Sequence, residues 1–252
     1  MDHIRQSVRL TDERRHHLDR FYDLIEDLQR NLGGKRRLAE CDGRMGWPTR
    51  GVYFFFEPGE FNGSGRDRIV RVGTHALKMG SGTTLWNRLS THRGTQSGGG
   101  NHRGSIFRLL VGRALIAKDA MTQPETWGFG NDPGTAARKF GLTRTALLEF
   151  EAALEQRVSE YIGQMPILWL SIPDAAGPES TRGYIERNAI ALLSQYRTVS
   201  SDNPSGQWLG TFSDRDKVRK SGLWNSNHVD ENYDPHFLDE MVVLIEHMHL
   251  RA

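Results

Sequence analysis

The chain has a single cysteine, Cys41, among its 252 residues, so no internal disulfide framework is possible. It also lacks any apolar run near the roughly 20 residues that a membrane-spanning helix needs. Its first residues, Met1 to Arg5, do not contain the apolar stretch of a secretory signal. Together with a mean hydropathy of −0.58, these absences predict a soluble protein of the reducing cytoplasm that has no membrane partner.

Charge is nearly balanced overall but unevenly distributed along the chain. The formal net charge is only +2, yet nine lysines and arginines and a single acid, Asp67, occupy the window from Arg66 to Arg113. Three histidines and several glycines share this window. A cationic, glycine-rich region suits a polyanion such as the phosphate backbone of a nucleic acid, although a solvated, salt-sensitive surface would give the same count. The residue types favour the nucleic-acid interpretation.

The part of the chain around this window has the clearest pattern of local structure. Two short runs rich in aromatic or β-branched residues, Gly51–Phe56 and Ile69–Val72, predict two strands joined by a turn-rich loop. Leu85–His92 then predicts a short helix. On that helix Arg88 and His92 are four residues apart and therefore share one face.

Helical spacing of apolar residues predicts further helices, and one continuous apolar run predicts a central strand. The helices are expected at 11–32, 143–162 and 178–196, with another near the C-terminus, and the strand at Ile167–Ile172. The run Ser105–Ile116 fits either a strand or a buried helix, and its periodicity does not decide between them. Residues 118–141 are rich in glycine and proline and predict a loop-rich, substrate-facing insertion.

Several residues follow one another in an order that is similar to a known family. The order is Gly51-Val52-Tyr53, then Arg71-Val72-Gly73, then Arg88 and His92 on one helix, then Glu186 and Asn203. This set resembles the GIY-YIG nuclease superfamily, and the Arg-x-x-x-His pair looks closest to the branch that contains certain type II restriction enzymes. Arg71 stands where many members have the tyrosine of the second motif.

The resemblance and the order of elements together imply an α/β (α+β) fold. We expect a GIY-YIG-like core with a small, largely antiparallel sheet flanked by helices, together with an N-terminal helix and a C-terminal helical extension. The expected division is an N-terminal helical extension over 1–50, a nuclease core over 51–212 with an insertion around 118–141, and a C-terminal extension over 213–252 packed on the core.

The activity that the resemblance implies is hydrolysis of phosphodiester bonds in DNA by a divalent-metal-dependent endonuclease, with Mg²⁺ or Mn²⁺ as the cofactor. Glu186 is the expected metal ligand, and Arg88 is expected to clamp the scissile phosphate. Tyr53 would activate or orient the attacking water, with His92 or His75 as the assisting base. The full set of candidate catalytic residues is Tyr53, His75, Arg88, His92, Glu186 and Asn203.

Nucleic-acid contacts are expected from the cationic window and its loops. The candidates are Arg71, Lys78, Arg93, His102 and Arg103, the last two in a flexible basic loop over 98–103. Duplex DNA is the favoured partner, and a homodimer is left open. Trp127 and Phe129 look exposed and suited to stacking on bases, which leaves a nuclease for RNA or single strands as an alternative. A catalytically inactive nucleic-acid-binding protein of the same fold is the other alternative.

Overall fold

The computed structural model describes residues 2–122, 124–198 and 202–249. Its sheet has four strands: β1 (Arg36–Arg37), β2 (Gly51–Phe61), β3 (Asp67–Gly73) and β4 (Pro166–Ser171). They lie in the order β1-β4-β2-β3, and each neighbouring pair is antiparallel. The predicted strands are therefore present, and β4 lies in the interior of the sheet as expected.

Eight α-helices flank the sheet within the described residues. They are α1 (Asp2–Asn31), α2 (Leu85–Arg93), α3 (Ile106–Lys118), α4 (Pro133–Lys139), α5 (Arg144–Gly163), α6 (Thr181–Leu193), α7 (Asp216–Ser221) and α8 (Phe237–His249). The predicted α+β class, with a small antiparallel sheet between helices, is confirmed. None of the helices in the described ranges is both long enough and apolar enough to cross a bilayer.

Both faces of strand β2 are buried over Gly51–Phe56. This run therefore shows no alternation between apolar and polar residues. Val52 and Phe54 belong to a core that they share with α1, α6 and α8. Tyr53 and Phe55 point to the opposite face and pack with α2, α3 and α5. Since side chains alternate along a strand, Tyr53 is thereby directed towards the short helix α2.

The outer edge of β3 is covered by a segment from the C-terminal part of the chain. The Trp224 amide donates to the Val70 carbonyl over 2.7 Å. The Asn225 side chain accepts from the Val72 amide at 3.2 Å and donates to the Val72 carbonyl at 2.8 Å. These bonds satisfy backbone groups that an edge strand leaves unpaired. They also bring residues 224–228 beside the end of β3.

The ambiguous run Ser105–Ile116 is a helix, α3, and not a strand. The Ser105 hydroxyl accepts the Arg108 amide at 3.3 Å, which caps the first turn. Most of the circumference of the helix is buried, because the sheet, α5 and the insertion surround it. A helix that is apolar on nearly all sides has no polar face to reveal its period in the sequence.

The expectation that Trp127 is exposed is wrong. The residue is 2% exposed, and its ring stacks on His102 with the two centroids 3.8 Å apart. Gly112 in α3 makes room for the indole, since a Cβ at that position would lie 2.3 Å from a ring carbon of Trp127. The insertion therefore packs on α3 through Trp127, whereas Phe129 does lie partly at the surface.

We expect Gly112→Ala to destabilise the protein, although alanine is the better helix former. The intrinsic gain is about 1 kcal/mol, whereas an extra methyl group in a packed core costs about 1–3 kcal/mol. The indole is buried and is held by its stack on His102. Equilibrium unfolding in urea measures the difference.

The control for this substitution is Gly177→Ala, because nothing lies within 4 Å of a Cβ there. A Gly112→Ala protein that is at least as stable as the Gly177→Ala protein would contradict the packing argument.

Candidate active site

A cavity of about 500 Å³ opens where β3 ends at the edge of the sheet. Its walls come from β2 and β3, the loop after β3, helices α2, α3 and α6, and the segment 224–228. It gathers six of the residues that the sequence singled out: Tyr53, Arg71, His75, Lys78, Arg88 and Glu186. Residues that are far apart in the chain thus share one site, in which ionisable and apolar side chains are mixed.

Tyr53 and His92 form the first hydrogen-bonded pair of the site. The Tyr53 hydroxyl lies 2.9 Å from His92 Nε2, and His92 Nδ1 lies 2.8 Å from the Ser105 hydroxyl. We assign the tautomer with its proton on Nδ1, in which His92 donates to Ser105 and accepts from Tyr53. Burial lowers the pKa of His92 well below its ordinary value, and the cations Arg88 and Arg71 act in the same direction. The imidazole is therefore neutral at neutral pH and available as a proton acceptor.

Gly73 makes this pair possible. In the antiparallel register Tyr53 lies directly opposite Gly73 on β3. A Cβ at position 73 would lie 2.3 Å from the Tyr53 hydroxyl oxygen, so any other residue would displace the phenol. Gly73 does not have a positive φ. The glycine is required by the close approach of a side chain and not by its backbone conformation.

Glu186 enters the cavity from α6, which packs on the opposite face of the sheet from α2. Its Oε1 accepts the Thr74 amide at 3.0 Å, which leaves Oε2 for another partner. Burial raises the pKa of Glu186, and the Arg71 guanidinium opposes that shift.

Glu186 is also the candidate ligand for a metal ion. One carboxylate with space for several waters fits a hard divalent cation such as Mg²⁺. Across the described residues, no group of three or more His, Cys, Asp or Glu side chains is placed to hold an ion. Among these side-chain types, Glu186 is therefore the residue on which binding of a divalent cation in this cavity depends.

Arg71 is buried in the place of the tyrosine of the second motif. Its Nη1 donates to the Trp224 carbonyl, and its guanidinium lies 4.8 Å from the centroid of the Phe107 ring. Its Nε has no hydrogen-bond partner among the described residues. Burial lowers the pKa of Arg71, while Tyr53 and Glu186 oppose that shift. The residue thus brings a buried positive charge and an unused donor to the cavity in place of a phenol.

The loop after β3 is held by a buried arginine of α6. Arg182 donates from Nε to the His75 carbonyl at 3.1 Å and from Nη2 to the Ala76 carbonyl at 2.9 Å. Ala76 has a φ of 56°, a left-handed conformation that is uncommon outside glycine. His75 Nε2 lies 3.2 Å from the Thr49 carbonyl and donates to it. Burial lowers the pKa of His75 to about 4, so this ring is also neutral at neutral pH.

Most cations of the window Arg66–Arg113 are neutralised by carboxylates from outside the window. Five of the nine form ion pairs: Arg66 with Asp23 and Glu26, Arg68 with Glu60, Arg103 with Glu151, Arg108 with Glu155, and Arg113 with Asp214. Of the other four, Arg93 donates to a backbone carbonyl and lies over an indole ring. The remaining three, Arg71, Lys78 and Arg88, line the cavity. The positive charge of this window that a ligand would meet is therefore concentrated there.

The loop over 98–103 does not present the flexible basic surface that was expected. Arg103 donates to both carboxylate oxygens of Glu151, and its side chain is 1% exposed. His102 Nδ1 lies 2.8 Å from Glu155 Oε1. Both side chains are therefore used inside the fold, and the expectation of an exposed pair of cations here is wrong. The two acids lie 48 and 53 residues further along the chain, where no local pattern connects them to the loop.

Asn203 is not among the residues that line the cavity. It is exposed and lies close in the chain to Ser205, whose hydroxyl donates to Glu60 near the other end of β2 from Tyr53. The asparagines at the cavity are Asn225 and Asn227, from the segment that covers β3. In the sequence these residue types are typical of a turn. The available signal was a run of polar side chains directly after an apolar pair.

One comparison with known families covers almost the whole chain. A family model described as the GIY-YIG domain matches residues 12–251. The chain belongs to the GIY-YIG family. Neither a curated protein nor a solved structure matches it. GIY-YIG nucleases act on DNA and generally use divalent metals.

Membership of the GIY-YIG family confirms the predicted family and the predicted GIY-YIG-like core. The two motifs of the family name meet in this chain across the β2–β3 pair, where Tyr53 lies opposite Gly73.

We expect Arg103→Ala to lower the stability of the protein and to leave its affinity for nucleic acid unchanged. Removing one member of a buried ion pair leaves the other charge uncompensated and costs about 3–5 kcal/mol. The matched variant is Lys78→Ala, which removes an exposed cation of the cavity. It should reduce the salt slope of DNA binding by roughly one phosphate contact.

Urea unfolding, and fluorescence anisotropy of a labelled duplex at several salt concentrations, separate these two effects. If Arg103→Ala reduced the salt slope of DNA binding without loss of stability, Arg103 would contact DNA and this prediction would be wrong.

Proposed function

We propose that the protein is an endonuclease that hydrolyses phosphodiester bonds in duplex DNA, with a divalent cation held by Glu186. The observation that supports this is the convergence in one cavity of a phenol, a carboxylate and three cations that form no ion pair with any carboxylate of the described residues. Hydrolysis requires that water lose a proton, that charge on the phosphoryl oxygens be neutralised and that the leaving oxygen be stabilised. Each of these tasks has a candidate group at the cavity.

Tyr53 and His92 supply the path for the proton. As water attacks the phosphorus, its proton passes to the Tyr53 oxygen while the Tyr53 proton passes to His92 Nε2 across the 2.9 Å contact. Ser105 accepts from Nδ1 and keeps the ring oriented for this transfer. Because burial disfavours the imidazolium, His92 holds the proton only transiently.

Arg88 is the clamp for the scissile phosphate. It projects from α2 into the cavity and has no carboxylate partner among the described side chains; its hydrogen bond to the Gly104 carbonyl is long, at 3.4 Å. A guanidinium binds two phosphate oxygens in parallel, which an ammonium group does not. Arg71 adds a buried positive charge to the same cavity, and Lys78 adds an exposed one.

Glu186 would hold Mg²⁺ or Mn²⁺ through its free carboxylate oxygen. When bound there, the cation supplies positive charge to the phosphoryl and leaving oxygens. The Thr74 amide fixes the position of the carboxylate. The charge of Arg71 favours the ionised form, which is the form that binds a cation.

Duplex DNA is preferred over RNA or a single strand as the substrate. Those alternatives rested on base stacking by two exposed aromatic residues, one of which, Trp127, is buried. The competing function is a catalytically inactive binding protein. It differs from the proposal in one result, namely tight, salt-sensitive binding without any cleavage.

We expect Glu186→Ala to abolish cleavage while leaving DNA affinity largely intact, because the carboxylate serves the cation and not the phosphate contacts. The measurement is cleavage of supercoiled plasmid and duplex oligonucleotides with Mg²⁺ or EDTA, and binding in EDTA. Glu179→Ala is the matched control, since this exposed carboxylate lies just before α6 and outside the cavity. Parental cleavage by Glu186→Ala would place the cation elsewhere.

Tyr53→Phe and Arg88→Lys should each remove most of the single-turnover cleavage rate. Phenylalanine packs like tyrosine but relays no proton, and lysine does not reproduce a bidentate clamp. Tyr53→Phe should also cost about 1–3 kcal/mol of stability, because His92 Nε2 is left unpaired. The double variant should be scarcely slower than either single one, since residues that act as a catalytic unit are strongly non-additive.

Rates are compared at a temperature where every variant is folded, with unfolding curves as the check. Arg157→Lys, at a surface ion pair with Asp119, is the control. Near-parental rates for both single variants would exclude this assignment of roles.

A further inference from the structure

His228 stands on the segment that covers β3 and lines the same cavity as Glu186. Its φ of 62° lies in the left-handed region, which only a few per cent of residues other than glycine occupy. Such conformations persist where the surrounding structure fixes them, and they cluster at ligand sites. His228 has no part in the proton path or the phosphate clamp described above.

Two successive hydrogen bonds orient the His228 ring. Its Nδ1 lies 2.8 Å from Glu231 Oε1, and Glu231 Oε2 accepts from Arg187 Nε at 2.5 Å. A carboxylate only accepts, so Nδ1 carries the proton and Nε2 keeps its lone pair in the neutral ring. A carboxylate behind the other ring nitrogen is the arrangement that orients histidine ligands of metals and raises their basicity.

The other two histidines near the cavity do not offer such a nitrogen. His92 uses both ring nitrogens, on Tyr53 and Ser105. His75 donates from Nε2 to a backbone carbonyl, and its Nδ1, although it has no hydrogen-bond partner among the described residues, is buried away from solvent. The His228 side chain, in contrast, is 30% exposed, and its Nε2 is free to meet a ligand in the cavity.

Glu186 offers the complementary oxygen. Its Oε1 is occupied by the Thr74 amide, and its Oε2 has no hydrogen-bond partner among the described residues. Both side chains line the same cavity, Glu186 from α6 and His228 from the segment that covers β3.

We propose that His228 Nε2 and Glu186 Oε2 are the two protein ligands of the divalent-cation site, with the remaining positions open to water and phosphate. This rests on the proposed function, in which Glu186 binds the cation. Glu231 then acts as a positioning residue for the histidine ligand.

An imidazole ligand changes which cations the site prefers. Mg²⁺ is bound through oxygen and keeps several waters, whereas imidazole suits the later first-row metals. A site with one nitrogen and one oxygen ligand should therefore bind Mg²⁺ less tightly than Mn²⁺, and Mn²⁺ less tightly than Co²⁺.

The probe for this proposal is Mn²⁺ bound to the whole chain without DNA. Pulsed electron paramagnetic resonance detects a directly bound imidazole as a ¹⁴N coupling, and a titration gives the Kd. We expect the coupling in the parent protein and its loss in His228→Asn. Asparagine is chosen because it adopts the left-handed conformation readily, which preserves the backbone at this position.

The Kd for Mn²⁺ should rise about 10–100-fold in Glu231→Gln, which loosens the ring, and at least as much in His228→Asn. Glu231→Gln should keep the ¹⁴N coupling, because the ligand itself is still present. A purely structural role for Glu231 would instead change stability and leave the Kd unchanged.

Two histidine variants serve as matched controls. His75 lies in the cavity, whereas His236 is an exposed histidine that also has a carboxylate partner but lies outside the cavity. His75→Asn and His236→Asn should both keep the coupling. No coupling in the parent, a coupling that survives in His228→Asn, or its loss in His75→Asn would overturn the proposal.

The failure of the proposed function gives a different result. Mn²⁺ binding that survives unchanged in Glu186→Ala would contradict the cation role of that carboxylate. Loss of Mn²⁺ binding in Glu186→Ala, combined with parental binding in His228→Asn, would overturn only the assignment of His228.

Discussion

The candidate site depends on the phenol of Tyr53 crossing β3 at a residue that has no side chain. Any Cβ at Gly73 would fall within 2.3 Å of the hydroxyl oxygen and would separate it from His92. The crossing also needs β2 to be an interior strand, because Tyr53 then faces one core while Val52 anchors the other. The strand order, the antiparallel register and the glycine of the second motif are therefore all needed for the hydrogen bond between Tyr53 and His92.

The arginines of this chain act largely as internal connectors. Arg68, Arg108 and Arg182 are fully buried, and each is paired with a carboxylate. A buried charge costs several kcal/mol unless it is paired, so each pair restricts how the elements that carry it are placed. Arg108 links α3 to α5, and Arg182 holds the loop that carries His75. A count of charges along the sequence therefore overstates the cationic surface.

The strands, the helix α2 and the place of Tyr53 could be predicted from the sequence because they depend on neighbouring residues. The partner of Arg103 could not, because nothing local indicates that Glu151 on α5 will face it. The same applies to His228, whose position follows from the bonds between the segment 224–225 and the edge of β3. Before that pairing is known, its polar neighbours are typical of a turn. Local patterns thus lead to the Tyr53–His92 pair, whereas contacts distant in sequence decide which cations have no carboxylate partner among the described residues and which side chains complete the cavity.

The departure from the family motif at Arg71 is explained by what its charge does to two neighbours. It favours the ionised form of Glu186 against the effect of burial, and it adds to the burial that keeps His92 neutral. The proposed roles need these two protonation states, since a cation ligand must be ionised and a proton acceptor must be neutral. A phenol at this position would carry no charge, so it would not shift the protonation state of Glu186 or of His92. The arginine therefore favours the protonation states that the proposed mechanism needs, and its presence is not in itself a sign that activity has been lost.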